Sequence, residues 1–135
     1  MLSALDISTS GMVAQRQRML AVSNNLANID TTRNAAGEVD PYRRRFVVFK
    51  TDEGIGTDGA AGVRVDSVEM DASEPLLRYE PNHPDANAEG YVAYPNVNMM
   101  FEMVDAMETA RSYEANIGAF EIAKDLQQQT LRILA

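Results

Sequence analysis

The residues of this chain whose types and spacing suit chemistry are a single histidine and one run of oxygen-bearing side chains. His83 lies between Asn82 and Pro84 in a predicted turn, and no nucleophile motif accompanies it. The segment Asp85–Gly90 places oxygen side chains at positions one, three and five and glycine at six, as in an EF-hand calcium loop. Position twelve is Asn96, where that loop needs a bidentate glutamate. We therefore expect no catalytic residue and no metal site, with a calcium module as the weakest of three hypotheses.

The composition narrows the classes of function further. The 135 residues suffice for one domain with an ordinary core, and 45% of them are apolar. Because the chain has no cysteine, disulfides, thiol catalysis and cysteine metal ligands are excluded. The glycines between positions 54 and 62 form no phosphate-binding loop. We expect no cofactor.

The net charge of −8 is unevenly distributed along the chain. Residues 51–96 contain ten acidic and two basic side chains, whereas Arg43, Arg44 and Arg45 form a basic triplet. Nucleic acids and anionic lipids need clustered lysine and arginine to neutralise their phosphates. We expect no nucleic-acid partner, and interpret the triplet as solvated arginines at a strand start that are able to meet an acidic neighbouring surface.

No segment has the pattern of a targeting or membrane-spanning sequence. The N-terminal residues MLSALDISTSGM lack the basic region and the continuous apolar run of a cleaved signal peptide. No stretch approaches the roughly 20 apolar residues of a membrane span, so we expect no direct membrane insertion. On these rules alone the location is the cytoplasm, unless an export route reads an uncleaved N-terminus.

Long helical patterns occupy both ends of the chain. The first begins between residues 3 and 5 and ends at Ile29, and the second, which Asn96 or Asn98 can cap, ends at Leu134. Apolar residues recur in both every seven residues, which is typical of a coiled coil. The predicted seam positions are Leu5, Met12, Met19 and Leu26 with Ser8, Gln15, Val22 and Ile29, then Met103, Ala110, Ile117 and Leu131 with Ala106, Tyr113, Phe120 and Leu134. Such narrow stripes must be covered by another helix, in the same chain or in a neighbour.

Between the helices the pattern changes to short strands and turns. Strands are predicted at Tyr42–Lys50, Val63–Met70, Leu76–Glu80 and Gly90–Tyr94. The predicted fold class is mainly α, with long N- and C-terminal helices that form a coiled coil and a small antiparallel β and loop region inserted between them. The predicted division is an N-terminal helix at 1–32, a central region at 33–96 and a C-terminal helix at 97–135.

Three asparagines interrupt the first helical pattern near its end, namely Asn24, Asn25 and Asn28. Asparagine favours caps and turns, so one interpretation is a fraying helix end that an asparagine caps. In the other interpretation the amides bond across a helix bundle and fix its register, as buried polar seam residues do. The sequence leaves both interpretations open.

Several motifs resemble those of the flagellar basal-body rod proteins. The stretch Asp6–Met12 with Gln15-Arg16, and the stretch Asn24–Asn28 with Thr31-Thr32, are similar to the N-terminal motif of rod, hook and hook-associated proteins. The segment His83–Asn98 is similar to one that is characteristic of a proximal-rod subunit. The resemblance extends over the whole chain.

The resemblance implies a structural subunit that is not an enzyme. Such a subunit belongs to the drive shaft that crosses the periplasm and transmits torque from motor to hook. It leaves the cell unprocessed, through the flagellar type III export apparatus. The implied partners are that apparatus, other rod subunits and copies of the same chain. The terminal segments of related subunits are unfolded before assembly and become coiled-coil helices in the rod.

The assembly interface predicted on this basis comprises seam residues and asparagines of both helical segments. They are Leu5, Met12, Met19, Val22, Asn24, Asn25, Leu26, Asn28, Ile29, Met103, Tyr113, Ile117, Phe120, Leu131 and Leu134. The alternative hypothesis is a soluble cytoplasmic helical-hairpin adaptor or chaperone that binds a partner's amphipathic helix.

Overall fold

The computed structural model of the chain describes residues 2–56 and 59–134, and they form two long helices with four short strands between them in sequence. The elements are α1 Leu2–Ala27, β1 Arg45–Asp52, β2 Gly62–Met70, β3 Leu76–Tyr79, β4 Tyr91–Tyr94 and α2 Met99–Leu134. The predicted order of helix, strands and helix is confirmed. The fold is mixed and rich in helix, and the coiled coil stays a prediction.

The four strands form two separate two-stranded sheets, one of β1 and β2 and the other of β3 and β4. β3 and β4 are antiparallel, and their register pairs Leu76 with Tyr94 and Tyr79 with Tyr91. β1 begins at Arg45, later than predicted, because the N–H of Tyr42 is bonded to the carbonyl of Thr31 in the preceding loop at 3.0 Å.

Asparagine side chains bond to the backbone at the start of α2 and at the end of α1. The side-chain oxygen of Asn98 accepts the N–H groups of Met100 at 3.0 Å and Phe101 at 3.3 Å, so Asn98 caps α2. After α1 ends, Asn28 donates its amide to the carbonyl of Asn24 at 2.8 Å. No helix within residues 2–56 and 59–134 combines the length and apolarity that crossing a membrane requires.

The chain divides into two compact units, each of which combines pieces of both helices and of the strands. The first contains the residues up to Leu20, the range Val47–Val68 and the residues from Met107 onward. The second contains Ala21–Phe46 and Glu69–Ala106.

In the first unit the two helices are antiparallel neighbours. Gly11 faces Asn116, and Arg18 lies 3.6 Å from the carboxylate of Glu108. The Ser10 hydroxyl accepts the N–H of Val63 at 3.1 Å, which attaches the start of β2 to α1.

In the second unit one face of the β3–β4 ribbon contributes to a small core. Val92 and Tyr94 are buried on it, and the Arg78 guanidinium lies 4.4 Å from the centre of the Tyr94 ring. On the opposite face Leu77 and Tyr79 are exposed. The ribbon thus buries the β4 side chains of one face and presents apolar side chains of the other face to its surroundings.

Candidate assembly interface

Asn25 is the centre of a buried polar network in the second unit. Its side-chain oxygen accepts the N–H of Arg45 at 2.8 Å and the hydroxyl of Tyr42 at 3.0 Å. Its side-chain nitrogen donates to the carbonyl of Arg45 at 2.8 Å and to the carboxylate of Glu102 at 3.0 Å. The residue is fully buried, and this arrangement uses both donors and both acceptor positions of the amide. Asn25 therefore holds the first residue of β1 as a neighbouring strand would.

Glu102 is the buried acid of this network. Its second oxygen accepts the guanidinium of Arg44 at 2.5 Å, and the glutamate is fully buried. A buried carboxylate is tolerated only when it is paired and hydrogen-bonded, and removal of one partner of such a pair costs about 3–5 kcal/mol. The network thus joins the end of α1, the start of β1 and the first turns of α2 at one point.

The two interpretations of the asparagine cluster apply to different residues. Asn25 bonds across the second unit to other elements. Asn28 completes the turn after α1, and its side-chain oxygen also accepts the hydroxyl of Thr31 at 3.1 Å. Asn24 is exposed and contributes its backbone carbonyl to that turn.

A second polar contact of this unit is centred on Asp85, which is buried. Its carboxylate accepts the hydroxyl of Thr32 at 2.6 Å and the Nε–H of Arg33 at 2.7 Å, with a further ion pair to the same guanidinium. The hydrogen bonds from Arg33 and then Thr32 hold the pKa of the Asp85 carboxyl below its ordinary value. The contact fixes the loop after α1 against the turn before β4.

These contacts give the calcium-like segment a different role. The oxygens of Asp85 are bonded to Thr32 and Arg33, and the side-chain oxygen of Asn87 accepts the N–H groups of Glu89 and Tyr91. The segment is a turn whose acceptors bind its own chain. Within the part of the chain that the structure describes, no group of histidine and acidic side chains is arranged to hold a metal ion.

The histidine is also a turn residue. His83 accepts the N–H of Asp85 on its Nδ1 at 3.1 Å, and its ring lies edge-on to that of Tyr94 at 6.3 Å between centroids. Burial, followed by the hydrogen bond to Glu80, raises the pKa of the Tyr94 hydroxyl. Burial likewise raises the pKa of Tyr42. These shifts arise from packing and bonding within the second unit.

Small residues bring the helices together in the first unit. A Cβ atom added to Gly11 would lie 2.7 to 3.0 Å from the side-chain amide of Asn116, closer than real contacts allow. Ala14 and Thr109 are buried on the same unit's helices. The inward residues of these helices are therefore small or polar.

The predicted interface residues of α1 and the following turn have mixed environments. Val22 is buried and Asn25 fully so, whereas Asn24 is exposed. The remaining ones are partly buried: Leu5, Met12, Met19, Leu26, Asn28 and Ile29.

The predicted interface residues of α2 are largely on its outside. Phe120 is partly buried, and the side chain of Leu134 lies outside the described residues. The others are exposed: Met103, Tyr113, Ile117 and Leu131. Further large apolar side chains of α2 are exposed as well: Met99, Met100, Phe101, Val104, Met107, Ile122, Leu126 and Ile133. Much of the apolar surface of this helix is thus left uncovered by residues 2–56 and 59–134.

A polar seam of α2 was missed by the apolar pattern. Glu102 and Thr109 are fully buried, and Asn116 is partly buried. These residues are seven apart, and each lies one position before a predicted seam residue, as Asn116 does before Ile117. Their seven-residue spacing is visible in the sequence. A search for apolar residues selects the positions that follow them instead, because these three side chains are polar.

Comparison with known proteins matches both ends of the chain to one class. Residues 5–33 match the flagella basal body rod protein family, and residues 88–133 match the C-terminal region of flagellar basal body rod FlgEFG proteins. The first match contains Asn25 and the second contains Glu102. Both partners of the buried amide-to-carboxylate bond therefore lie in segments shared with flagellar rod proteins.

Three relatives that match over nearly the whole chain are each named flagellar basal-body rod protein FlgC. The Bacillus subtilis protein is 43% identical, with 96% of this chain and 95% of the relative covered. The Salmonella typhimurium protein is 41% identical, with 98% and 97% covered. The Borreliella burgdorferi protein is 38% identical, with 98% and 96% covered. The chain belongs to the flagellar basal-body rod proteins and, within them, to the FlgC family.

Proposed function

We propose that this structural subunit of the flagellar basal-body rod assembles through the outward faces of its terminal helices, which pack as coiled-coil helices against neighbouring subunits. The observation that carries the proposal is the exposed apolar surface of α2. Met100 and Phe101 are 68% and 72% exposed, and exposed apolar side chains continue along the helix to Ile133. Large contiguous apolar surfaces on a protein are typical of interaction sites.

The energetics favour this arrangement. Burial of one large apolar side chain contributes roughly 1.5–3 kcal/mol, so several of them distributed along a helix of 36 residues support a strong and extended contact. Methionine is prominent among these side chains, and its flexibility allows it to adapt to different partner surfaces. A shaft that carries torque needs contacts distributed over many side chains, and a long helix provides them.

A buried polar atom of α1 also supports the proposed contact with an adjacent subunit. The side-chain oxygen of Gln15 is buried and has no hydrogen-bond partner among the described residues. A groove of about 250 Å³ adjoins it, lined in part by Met19 and Tyr113 of the same unit. An unsatisfied buried acceptor costs about 1–3 kcal/mol. A donor from an adjacent subunit, or a water molecule held in the groove, would remove that cost.

The proposed partners are other rod subunits and copies of this chain, and the proposed location is the rod segment that spans the periplasm between motor and hook. Export through the flagellar type III apparatus, without cleavage of a signal peptide, is part of the same proposal. Its support is the resemblance of the N-terminal motif to that of rod, hook and hook-associated proteins. A cytoplasmic helical-hairpin adaptor is not favoured, since the full-length relatives are named as rod proteins.

Electron microscopy of basal bodies from cells that lack this chain tests the proposed function. We expect the membrane ring to persist while rod, hook and filament are missing, and the intact gene to restore them. Complete basal bodies in the deletion strain would overturn the proposal and would favour an accessory or adaptor protein.

A further inference from the structure

A basic groove lies in the second unit, where the loop after α1 meets the start of β1. Its volume is about 610 Å³. The charged residues of its lining are Arg33, Asp40, Arg43 and Arg45. Three guanidinium groups against one carboxylate give the lining a positive charge. The groove therefore favours an anionic occupant.

The arginines of the groove differ in how far the chain itself neutralises them. Arg33 is paired with the buried carboxylate of Asp85. Arg44, between the other two in sequence, is bound by the buried acid of the Asn25 network. Arg43 and Arg45 are exposed, and within the described residues neither pairs with a carboxylate. Two positive charges at the start of β1 are thus available to a partner.

The chain contains a segment with complementary chemistry. Residues 51–61 include Asp52, Glu53 and Asp58, no basic residue, three glycines and two alanines. The side-chain oxygen of Asp52 accepts the N–H of Gly54 at 3.0 Å, which forms a tight turn, and Glu53 is exposed. Small side chains allow such a segment to enter a groove, and its carboxylates match the two available arginines.

We infer that the basic groove of one copy binds the acidic 51–61 segment of a second copy, with Arg43 and Arg45 opposite Asp52 and Glu53. The inference rests on the proposed packing of copies of this chain in the rod. The contact joins two different surfaces, and repeated contacts of this kind build open helical assemblies. Charge complementarity selects this occupant over nucleic acid, because the net charge of −8 opposes binding to a polyanion.

Disulfide trapping between differently tagged copies tests the contact directly, since the chain contributes no cysteine of its own. Ala35→Cys places a thiol in the lining of the groove, and Thr51→Cys places one at an exposed position of the acidic segment. We expect oxidation of basal bodies that contain both variants to give a dimer carrying both tags. Ala72→Cys, an exposed position outside the groove lining, replaces Ala35→Cys as the matched control and should give no dimer above background.

Charge reversal shows whether the ion pairs hold the contact. Arg43→Glu in the groove copy should abolish the trapped dimer, and Glu53→Arg in the other copy should restore it. Absence of the dimer from assembled rods, capture of a different rod protein by Ala35→Cys, or a dimer unaffected by Arg43→Glu would each overturn the inference. If Arg43→Glu prevents rod formation, its restoration by Glu53→Arg in the same chain supports the inference, and a failure to restore overturns it. If rod formation requires this chain but no dimer is trapped, only this inference is overturned. If complete basal bodies form without the chain, the proposed function is overturned.

Discussion

At the scale of single residues, the second unit depends on one amide. Asn25 makes four hydrogen bonds to residues that are distant in sequence, the farthest being Glu102. The asparagine motif in the sequence indicated a polar seam residue or a cap, but it could not identify the partners. Those partners depend on the fold, since Arg45 and Glu102 reach Asn25 only when β1 and α2 are in place.

Asn25→Ala should lower the free energy of unfolding by about 3 kcal/mol, because it leaves one oxygen of the buried Glu102 carboxylate unpaired and removes the side-chain partner of the Arg45 backbone N–H and carbonyl. Circular dichroism of the purified chain first establishes that its terminal helices are folded, and urea unfolding then measures the loss. Ser23→Ala, at an exposed position of the same helix, is the control and should change stability by less than about 0.5 kcal/mol. Equal effects of the two substitutions would contradict the role given to Asn25.

Asp85 makes the second unit sensitive to acid. Because the folded state holds the pKa of this carboxyl below its ordinary value, the carboxylate stabilises the fold above the unfolded pKa of about 4. That stabilisation is lost as the pH falls through the folded pKa. Asp85→Asn should therefore lower the urea midpoint at pH 7, and the gap from the wild type should narrow below about pH 4. A gap of constant size from pH 7 to pH 3 would show that Asp85 does not act through its charge.

At the scale of elements, two glycines of the helices differ in their surroundings. Gly11 faces the amide of Asn116, which in turn donates to the carbonyl of Ser112 at 2.8 Å and is thereby held in place. At Gly118, apart from its chain neighbours and the backbone of its own helix, no described atom lies within 4 Å of the position that a Cβ would take. One glycine permits close packing of the helices, and the other only weakens its helix.

Alanine at the two positions should therefore differ in effect. Gly118→Ala should stabilise the chain by up to about 1 kcal/mol through helix propensity, whereas Gly11→Ala should gain less, because the new methyl group displaces the Asn116 amide from its hydrogen bond to Ser112. Thermal unfolding of both variants measures the contrast. Asn116→Ala in the Gly11→Ala background should recover part of the difference. Equal stabilisation by the two substitutions would contradict the close approach of the helices in the first unit.

The elements were predictable from the sequence to different extents. Strand positions were found because β-branched and aromatic residues such as Phe46–Phe49 cluster between turn residues. The division into two sheets was not found, since pairing depends on contacts between distant segments. The helical repeat had the right period, but the inward residues Glu102 and Thr109 are polar, so an apolar criterion selected their neighbours. The proposed boundaries at residues 32 and 96 stay a prediction.

At the scale of the whole molecule, the apolar surface of α2 distinguishes folding from assembly. Ile117 is 36% exposed in the chain, so Ile117→Asp should lower the free energy of unfolding of the isolated chain by no more than about 1 kcal/mol. In the rod the same substitution places a charge in an apolar contact and should abolish motility. Gln128→Asp, at an exposed polar position of the same helix, is the control and should preserve swimming in soft agar. Normal motility with Ile117→Asp would count against the proposed contact.

Leu26→Asp, a substitution on α1, should reduce both the stability of the chain and its assembly. Leu26 is partly buried, so the aspartate should lower the stability of the chain and also block assembly. Synthesis should be intact, which immunoblotting of whole cells would show. Normal motility would contradict the role of the terminal helices in assembly.

The packing of α2 against neighbouring subunits is tested most directly by the accessibility of this helix before and after assembly. Met100→Cys introduces the only thiol of the chain at a position that is 68% exposed. A membrane-impermeant thiol reagent should label this variant fully in the isolated chain and only weakly in extracted basal bodies, with denatured basal bodies as the reference for complete labelling. Equal labelling in the isolated chain and in the intact rod would show that neighbouring subunits do not cover this surface, and would contradict the account.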